Sequence, residues 1–220
     1  MVLSDPARAA RRVDLIVRAG AWLVGLLPLA LLGSRWLARG LGANPIEALI
    51  LHFGRWAIVL LLAALAVTPL RRLTGFNALV KGRRILGLFG FLYVALHFLT
   101  YVVLDQFFAW EYIWEDIAER PFITVGFAAF CLLIPLAVTS TKGWIRRLGR
   151  NWVRLHRLFY VAIVLGVVHY FWNVRGDEPR PLIAIGLVAL LLAARVPAIA
   201  RRISGARHRA VARTRSTEAA

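Results

Sequence analysis

The apolar residues of this chain are gathered into blocks of roughly 18–25 residues, about the length a helix needs to cross ~30 Å of hydrocarbon. No other feature constrains the fold as much. Lipid offers no water to backbone N–H and C=O groups, so a block of that length must satisfy them internally, as a helix. Period-2 alternation is absent, which argues against a membrane β-barrel. Six blocks read as spans, at about 13–33, 48–70, 84–104, 122–139, 152–172 and 181–199. The expected fold class is all-α, a six-helix transmembrane bundle. Residues 1–12 are then an N-terminal segment, 13–200 the six-span domain and 201–220 a basic tail.

The formal charge of +17 suggests nucleic acid at first sight. The bases do not line one soluble face, however; they flank the apolar blocks. The N-terminal segment carries Arg8, Arg11 and Arg12, and the second–third connection carries Arg71, Arg72, Lys81, Arg83 and Arg84. The fourth–fifth connection carries Lys142, Arg146, Arg147 and Arg150, and the tail carries Arg201, Arg202, Arg207, Arg209, Arg213 and Arg215. The alternate connections look different: Asp105, Glu111, Glu115, Asp116 and Glu119 follow the third span with Arg120 as the one base, and Asp177 and Glu178 stand against Arg175 and Arg180 after the fifth. Basic loops stay in the cytoplasm, so both termini are expected there, in a bacterial inner membrane. The first block is too long for a secretory h-region and is followed by Arg35 and Arg39, so it reads as a span. The basic tail, with His208, reads as solvated or lipid-headgroup-binding.

Ionisable groups inside a membrane are costly and usually functional. Four of the five histidines, His52, His97, His156 and His169, lie in or at the edge of spans. The third and fifth spans run in the same direction, and His97 and His169 both lie toward their outer ends. The two rings can therefore face each other at one depth. Paired neutral imidazoles are axial ligands for heme iron. Cys131 is the only cysteine, and no CxxCH attachment exists, so such a heme is held noncovalently. The bland alternative for any one of these histidines is a bond to a carbonyl on a neighbouring helix.

A second pair lies toward the cytoplasm. Arg83 stands 14 residues before His97, about 21 Å of helix, and His156 stands 13 before His169, about 20 Å. Fourteen residues return nearly to the same face; thirteen fall about 140° away unless the fifth helix starts irregularly near Trp152. Arg83 is explained by topology or by pairing with heme propionates, and less well by ligation, which its high pKa disfavours. His52 and Arg55 share a helix face near the outer end of the second span, suited to outer-heme propionates or a quinone headgroup. Trp110, Trp114, Trp144, Trp152 and Trp172 mark membrane interfaces.

The chain carries Leu41-Gly42-Ala43-Asn44-Pro45-Ile46, His52-Phe53-Gly54-Arg55-Trp56-Ala57, Thr68-Pro69-Leu70-Arg71-Arg72 and Arg83-Arg84-Ile85-Leu86-Gly87-Leu88. It also carries His97 within Ala95-Leu96-His97-Phe98-Leu99-Thr100-Tyr101, then Thr139-Ser140-Thr141, then Trp152-Val153-Arg154-Leu155-His156-Arg157-Leu158-Phe159-Tyr160. Together these resemble the MsrQ (YedZ) family, over roughly residues 40–175, and the wider ferric reductase-like transmembrane domains. Those relatives stack two hemes on two histidines from each of two helices. By resemblance His97, His156 and His169 match three such positions, and Arg83 stands at the fourth, a departure from the four-histidine pattern.

The resemblance implies an electron-transfer subunit. Electrons from a cytoplasmic flavin reductase or from quinol would pass through one or two b-type hemes to MsrP, a periplasmic molybdopterin enzyme that reduces methionine sulfoxide in oxidised proteins. FMN binding is also implied by family members. No dinucleotide fingerprint or flavin domain is present, so NAD(P)H oxidation belongs to another polypeptide. Sulfoxide chemistry belongs to the partner, and the loop from Asp105 to Glu119 is the expected docking surface. Two rival readings differ in kind: a self-contained quinol or ferric reductase, and a non-redox structural or transport protein whose histidines only bridge helices.

Overall fold

The computed structural model describes residues 6–174, 178–201 and 205. Among these residues all regular structure is helical, as the apolar blocks require. In chain order it comprises α1 (Pro6–Arg39), α2 (Pro45–Thr74), α3 (Val80–Leu99), α4 (Trp110–Glu119) and α5 (Pro121–Val138). Then follow α6 (Lys142–Leu148), α7 (Arg150–Leu155), α8 (Leu158–Asn173) and α9 (Arg180–Ala193). Among the described residues five stretches are long and apolar enough to cross a membrane: Ala7–Arg39, α2, Asn77–Asp105, α5 and Arg150–Asn173. The chain is a multi-pass membrane protein.

Three details differ from the sequence expectation. The sixth block yields only 14 residues of helix in α9, about 21 Å. It is interrupted at Arg195-Val196-Pro197, because proline disfavours helical geometry at the residue before it. The fifth block is two helices, broken by a turn at His156 and Arg157. The acidic connection holds a helix of its own, α4. His208, Asp177 and most of the basic tail lie outside the described residues.

Local chemistry sets the helix ends. Asn44 caps α2, its side-chain oxygen accepting from the Glu47 amide at 3.2 Å, with Pro45 in the first turn. Gly75 ends α2 at φ 74°, a left-handed geometry that glycine adopts without a β-carbon clash. Thr139 and Ser140 turn their hydroxyls back onto the Pro135 and Leu136 carbonyls, and Thr141 caps α6. Beyond His97, α3 widens into a π-helical turn, Thr100–Asp105. Phe107 and Phe108, both at positive φ, then reverse the chain into α4.

The helices pack mainly in two pairs, α2 with α3 and α5 with α8; contacts between the pairs are sparse. α1 lies against α3, and α9 against α8 and α2. Close approach within the first pair needs Gly90, where a β-carbon would stand 2.7 Å from Leu61. Tyr93 is fully buried and donates its hydroxyl to the Gly25 carbonyl of α1 at 2.9 Å. Large apolar side chains such as Leu15, Leu23 and Leu37 face outward, as lipid contact demands.

Candidate functional site

His97 on α3 and His169 on α8 are brought together across the gap between the two pairs, with ring centroids 6.1 Å apart and planes at 76°. Each ring is held the same way. His97 Nδ1 is 2.9 Å from the Ile50 carbonyl of α2, and His169 Nδ1 is 2.7 Å from the Phe122 carbonyl of α5. In both cases the partner carbonyl lies 47 residues earlier in the chain. Each ring also rests on a glycine one helical turn beyond that carbonyl. A β-carbon on Gly54 would stand 3.1 Å from His97 Nδ1, and one on Gly126 would stand 2.5 Å from His169 Nδ1.

The arrangement fixes protonation. A carbonyl only accepts, so each Nδ1 carries the proton and each Nε2 keeps its lone pair. Neither Nε2 has a hydrogen-bond partner among the described residues. With metal–nitrogen bonds of about 2 Å and ring centres about 1.2 Å behind the nitrogens, two imidazoles holding one metal between them would have centroids up to about 6.4 Å apart. The observed separation fits. No further His, Cys, Asp or Glu completes a metal-binding group among the described residues. The pair therefore suits a metal whose remaining positions are filled by its own ring.

The space for such a ring is present. A cavity of about 310 Å³ opens between the helix pairs around both histidines. Its walls are made thin by Gly54, Ala57, Gly126, Ala129, Ala162 and Gly166. Phe98, Phe127 and Phe130 supply flat apolar surface. One end is polar, with Arg55, Tyr101, Asp116, Arg120 and Tyr170. There Tyr101 donates to Asp116 at 2.8 Å, and Asp116 pairs with Arg120 at 3.0 Å. Asp105 also lies at this end, so Arg55 is the lining cation that no carboxylate pairs among the described residues; an apolar slot with such a cation suits an amphiphilic ring bearing carboxylates.

Arg55 reaches this cavity but His52 does not. His52 Nε2 bonds the Pro28 carbonyl of α1 at 3.0 Å, and its ring lines a separate pocket with Arg35, Asn44, Glu47, Arg55 and Trp56. His156 and Arg83 are likewise absent from the cavity lining. His156 sits at the α7–α8 break, stacked on Trp152 at 3.8 Å with Nδ1 bonded to the Trp152 carbonyl. Its Nε2 is buried without a hydrogen-bond partner, and Arg83 is its charged neighbour. Trp152, assigned from sequence to an interface belt, is half-buried and donates Nε1–H to the Thr139 carbonyl at 3.0 Å.

Sequence reasoning missed Gly54, Gly126 and Arg195. The glycines left no signal beyond ordinary small-residue usage. Arg195 left one: a charge in an apolar block.

Residues 53–167 match the model of the family described as ferric reductase like transmembrane component. The chain is 53% identical to the protein-methionine-sulfoxide reductase heme-binding subunit MsrQ of Rhodospirillum rubrum, over 87% of this chain and 93% of that one. It is 50% identical to the MsrQ of Caulobacter vibrioides, over 84% and 89% of the two chains. It is 47% identical to that of Xanthomonas campestris pv. campestris, over 84% and 88%. Sharing half its residues with these proteins over nearly their whole length, the chain belongs to the MsrQ family, with the ferric reductase-like membrane domain at its centre.

Proposed function

We propose that this protein is a b-type cytochrome subunit of the bacterial inner membrane, with both termini cytoplasmic. It passes electrons from a cytoplasmic flavin reductase or the quinol pool to the periplasmic methionine sulfoxide reductase MsrP, which repairs oxidised periplasmic proteins. The observation that carries this reading is the opposed pair His97 and His169, each with a free Nε2 and a carbonyl-bound Nδ1. Heme held there supplies one-electron chemistry without a proton or group transfer. The protein's own part is to fix depth, ring orientation and dielectric. The carbonyl bonds to Nδ1 make each imidazole a stronger donor, which favours the oxidised metal and lowers its potential. Arg55, which lines the cavity and has no carboxylate partner among the described residues, is the residue suited to hold a ring carboxylate at the polar end.

His156 belongs to a second, inner site with Arg83. The support is its buried, unpartnered Nε2 on the same helix system as His169. A second reading of the electron source is favoured by the pocket of about 410 Å³ around His52, Arg35 and Arg55. It opens beside the outer histidines and shares Leu51 and Arg55 with their cavity, which suits direct quinol oxidation at the outer end.

A redox-titrated absorbance spectrum with heme-to-protein stoichiometry tests the proposal. The wild-type chain is expected to bind two hemes, and His97→Ala or His169→Ala to lose the outer one. A His97→Ala chain that kept all its heme absorbance would overturn the outer site. A colourless wild-type chain, grown with ample heme, would favour a structural or transport role.

A further inference from the structure

Arg195 stands just beyond α9 and turns its guanidinium back into the bundle. Nη2 donates to the Leu65 carbonyl at 2.5 Å and Nη1 to the Tyr160 hydroxyl at 3.2 Å. The guanidinium carbon lies 5.3 Å from the Tyr160 ring centre. Part of this arrangement has a local cause. The Leu65 carbonyl is the one that Pro69, four residues on, cannot bond, because proline has no N–H. Arg195 supplies the missing donor from outside the helix.

A neutral donor would fill that gap equally well, so the charge needs its own reason. Arg195 Nε is buried and has no hydrogen-bond partner. Its charged neighbours are Arg72 and Arg83, both of the same sign. Arg72 donates to the Ala194 carbonyl at 3.1 Å. No carboxylate among the described residues pairs with any of the three. A part-buried cation beside two others, with no counter-ion, is unfavourable unless an anion joins it.

Arg83 connects this cluster to His156, which also counts it as a charged neighbour. Tyr160 stands one helical turn beyond His156. Among the described residues the buried side-chain polar atoms without partners are His156 Nε2 and Arg195 Nε, and Arg195 bonds Tyr160, four residues beyond His156. They need complementary things. The imidazole offers a lone pair to a metal, and the guanidinium offers an N–H to an anionic oxygen. A metalloporphyrin carries both partners on one molecule.

We propose that Arg195 is the anion-binding residue of the inner site, holding a carboxylate of the porphyrin that His156 ligates. The inference rests on the inner half of the reading above. It assigns the cluster of Arg72, Arg83 and Arg195 a second effect: positive charge that offsets the porphyrin carboxylate favours the reduced metal, so it raises the inner potential relative to a site where the carboxylate is unpaired.

The test uses the full-length chain and two readouts, hemes per chain and the midpoint potential of each heme. R195M is expected to lose the inner heme, lowering the ratio from two to about one, or to retain it with a lowered midpoint. The outer heme stays unchanged in either case and reports that the fold is intact. R195K is expected to keep the inner heme. The double variant P69A/R195M restores an amide to the Leu65 carbonyl without restoring the charge, and is expected to stay deficient. Recovery of the inner heme and its potential in the double variant would overturn the proposal, since Arg195 would then act only as a carbonyl clamp. Loss of both hemes in R195M that P69A repairs would overturn it in the same way. An R195M chain with two hemes and unaltered potentials would also overturn it. A wild-type chain with one heme would instead remove the inner site itself.

Discussion

His169 rests directly on Gly126, so closely that a β-carbon there would stand 2.5 Å from its Nδ1. The equivalent contact of Gly54 with His97 is 3.1 Å. The first is well inside van der Waals contact and the second only tight, so the two glycines differ in how much they tolerate. Gly126→Ala is expected to push His169 off axis, with an overpacking cost of about 1–3 kcal/mol and loss of most outer heme. Gly54→Ala is expected to keep that heme with a shifted spectrum and potential. Heme content and electron paramagnetic resonance of both variants check the order.

Tyr101 and Asp116 join the π-helical turn to α4, and Arg120 shares the carboxylate. Tyr101→Phe removes the one hydroxyl that holds this corner. The expected loss of stability is about 1–2 kcal/mol, since the bond is to a charged acceptor on a part-buried pair. Thermal melting measures the loss. Hydrogen exchange should locate it in α4 and leave α2 and α3 protected.

Trp152 makes two separable contacts, a stack on His156 and an N–H bond to Thr139. Trp152→Phe keeps an aromatic face and loses only the bond, for about 1 kcal/mol. It is expected to retain the inner heme. Trp152→Ala removes the stack and leaves the His156 ring only its Nδ1 bond to the residue 152 carbonyl, and is expected to lose that heme while keeping the outer one. The heme-to-protein ratio of the pair distinguishes these outcomes.

The exposed carboxylates of α4, Glu111, Glu115 and Glu119, lie beside exposed Trp110 and Trp114. If this face receives MsrP, their charges act mainly on the rate of encounter. Replacing all three with glutamine is expected to slow association about tenfold at low salt, with the difference fading as salt rises. Stopped-flow electron transfer across an ionic-strength series is the measurement. An association rate that ignores both charge and salt would move the docking surface elsewhere.

The spans were legible because lipid sets a minimum apolar length, and the charge of the connections gave them an alternating sense. Those two facts put His97 and His169 at one depth before any coordinates. The glycines behind them were not legible, since the need for a missing β-carbon beside a ring depends on which helices become neighbours. The carbonyl partners, Ile50 and Phe122, leave no side-chain signature at all. The sequence position of Trp152 at a span end fits an interface belt as well as a stack. Arg195 and Pro69 each break an apolar block. Only the fold reveals that one anomaly answers the other.

The sparse contact between the α2–α3 pair and the α5–α8 pair has a consequence for biogenesis. His97 belongs to one pair and His169 to the other, so on the proposed reading iron bound to both fastens the two halves of the membrane domain. Insertion of the cofactor is then the closing step of assembly. The chain that lacks it is joined across the pairs by packing alone, as of Leu61 and Leu65 of α2 against α5, α8 and α9, and is expected to be more open to membrane proteases. Cells starved of heme would therefore lose the protein itself, and its abundance would follow the heme supply.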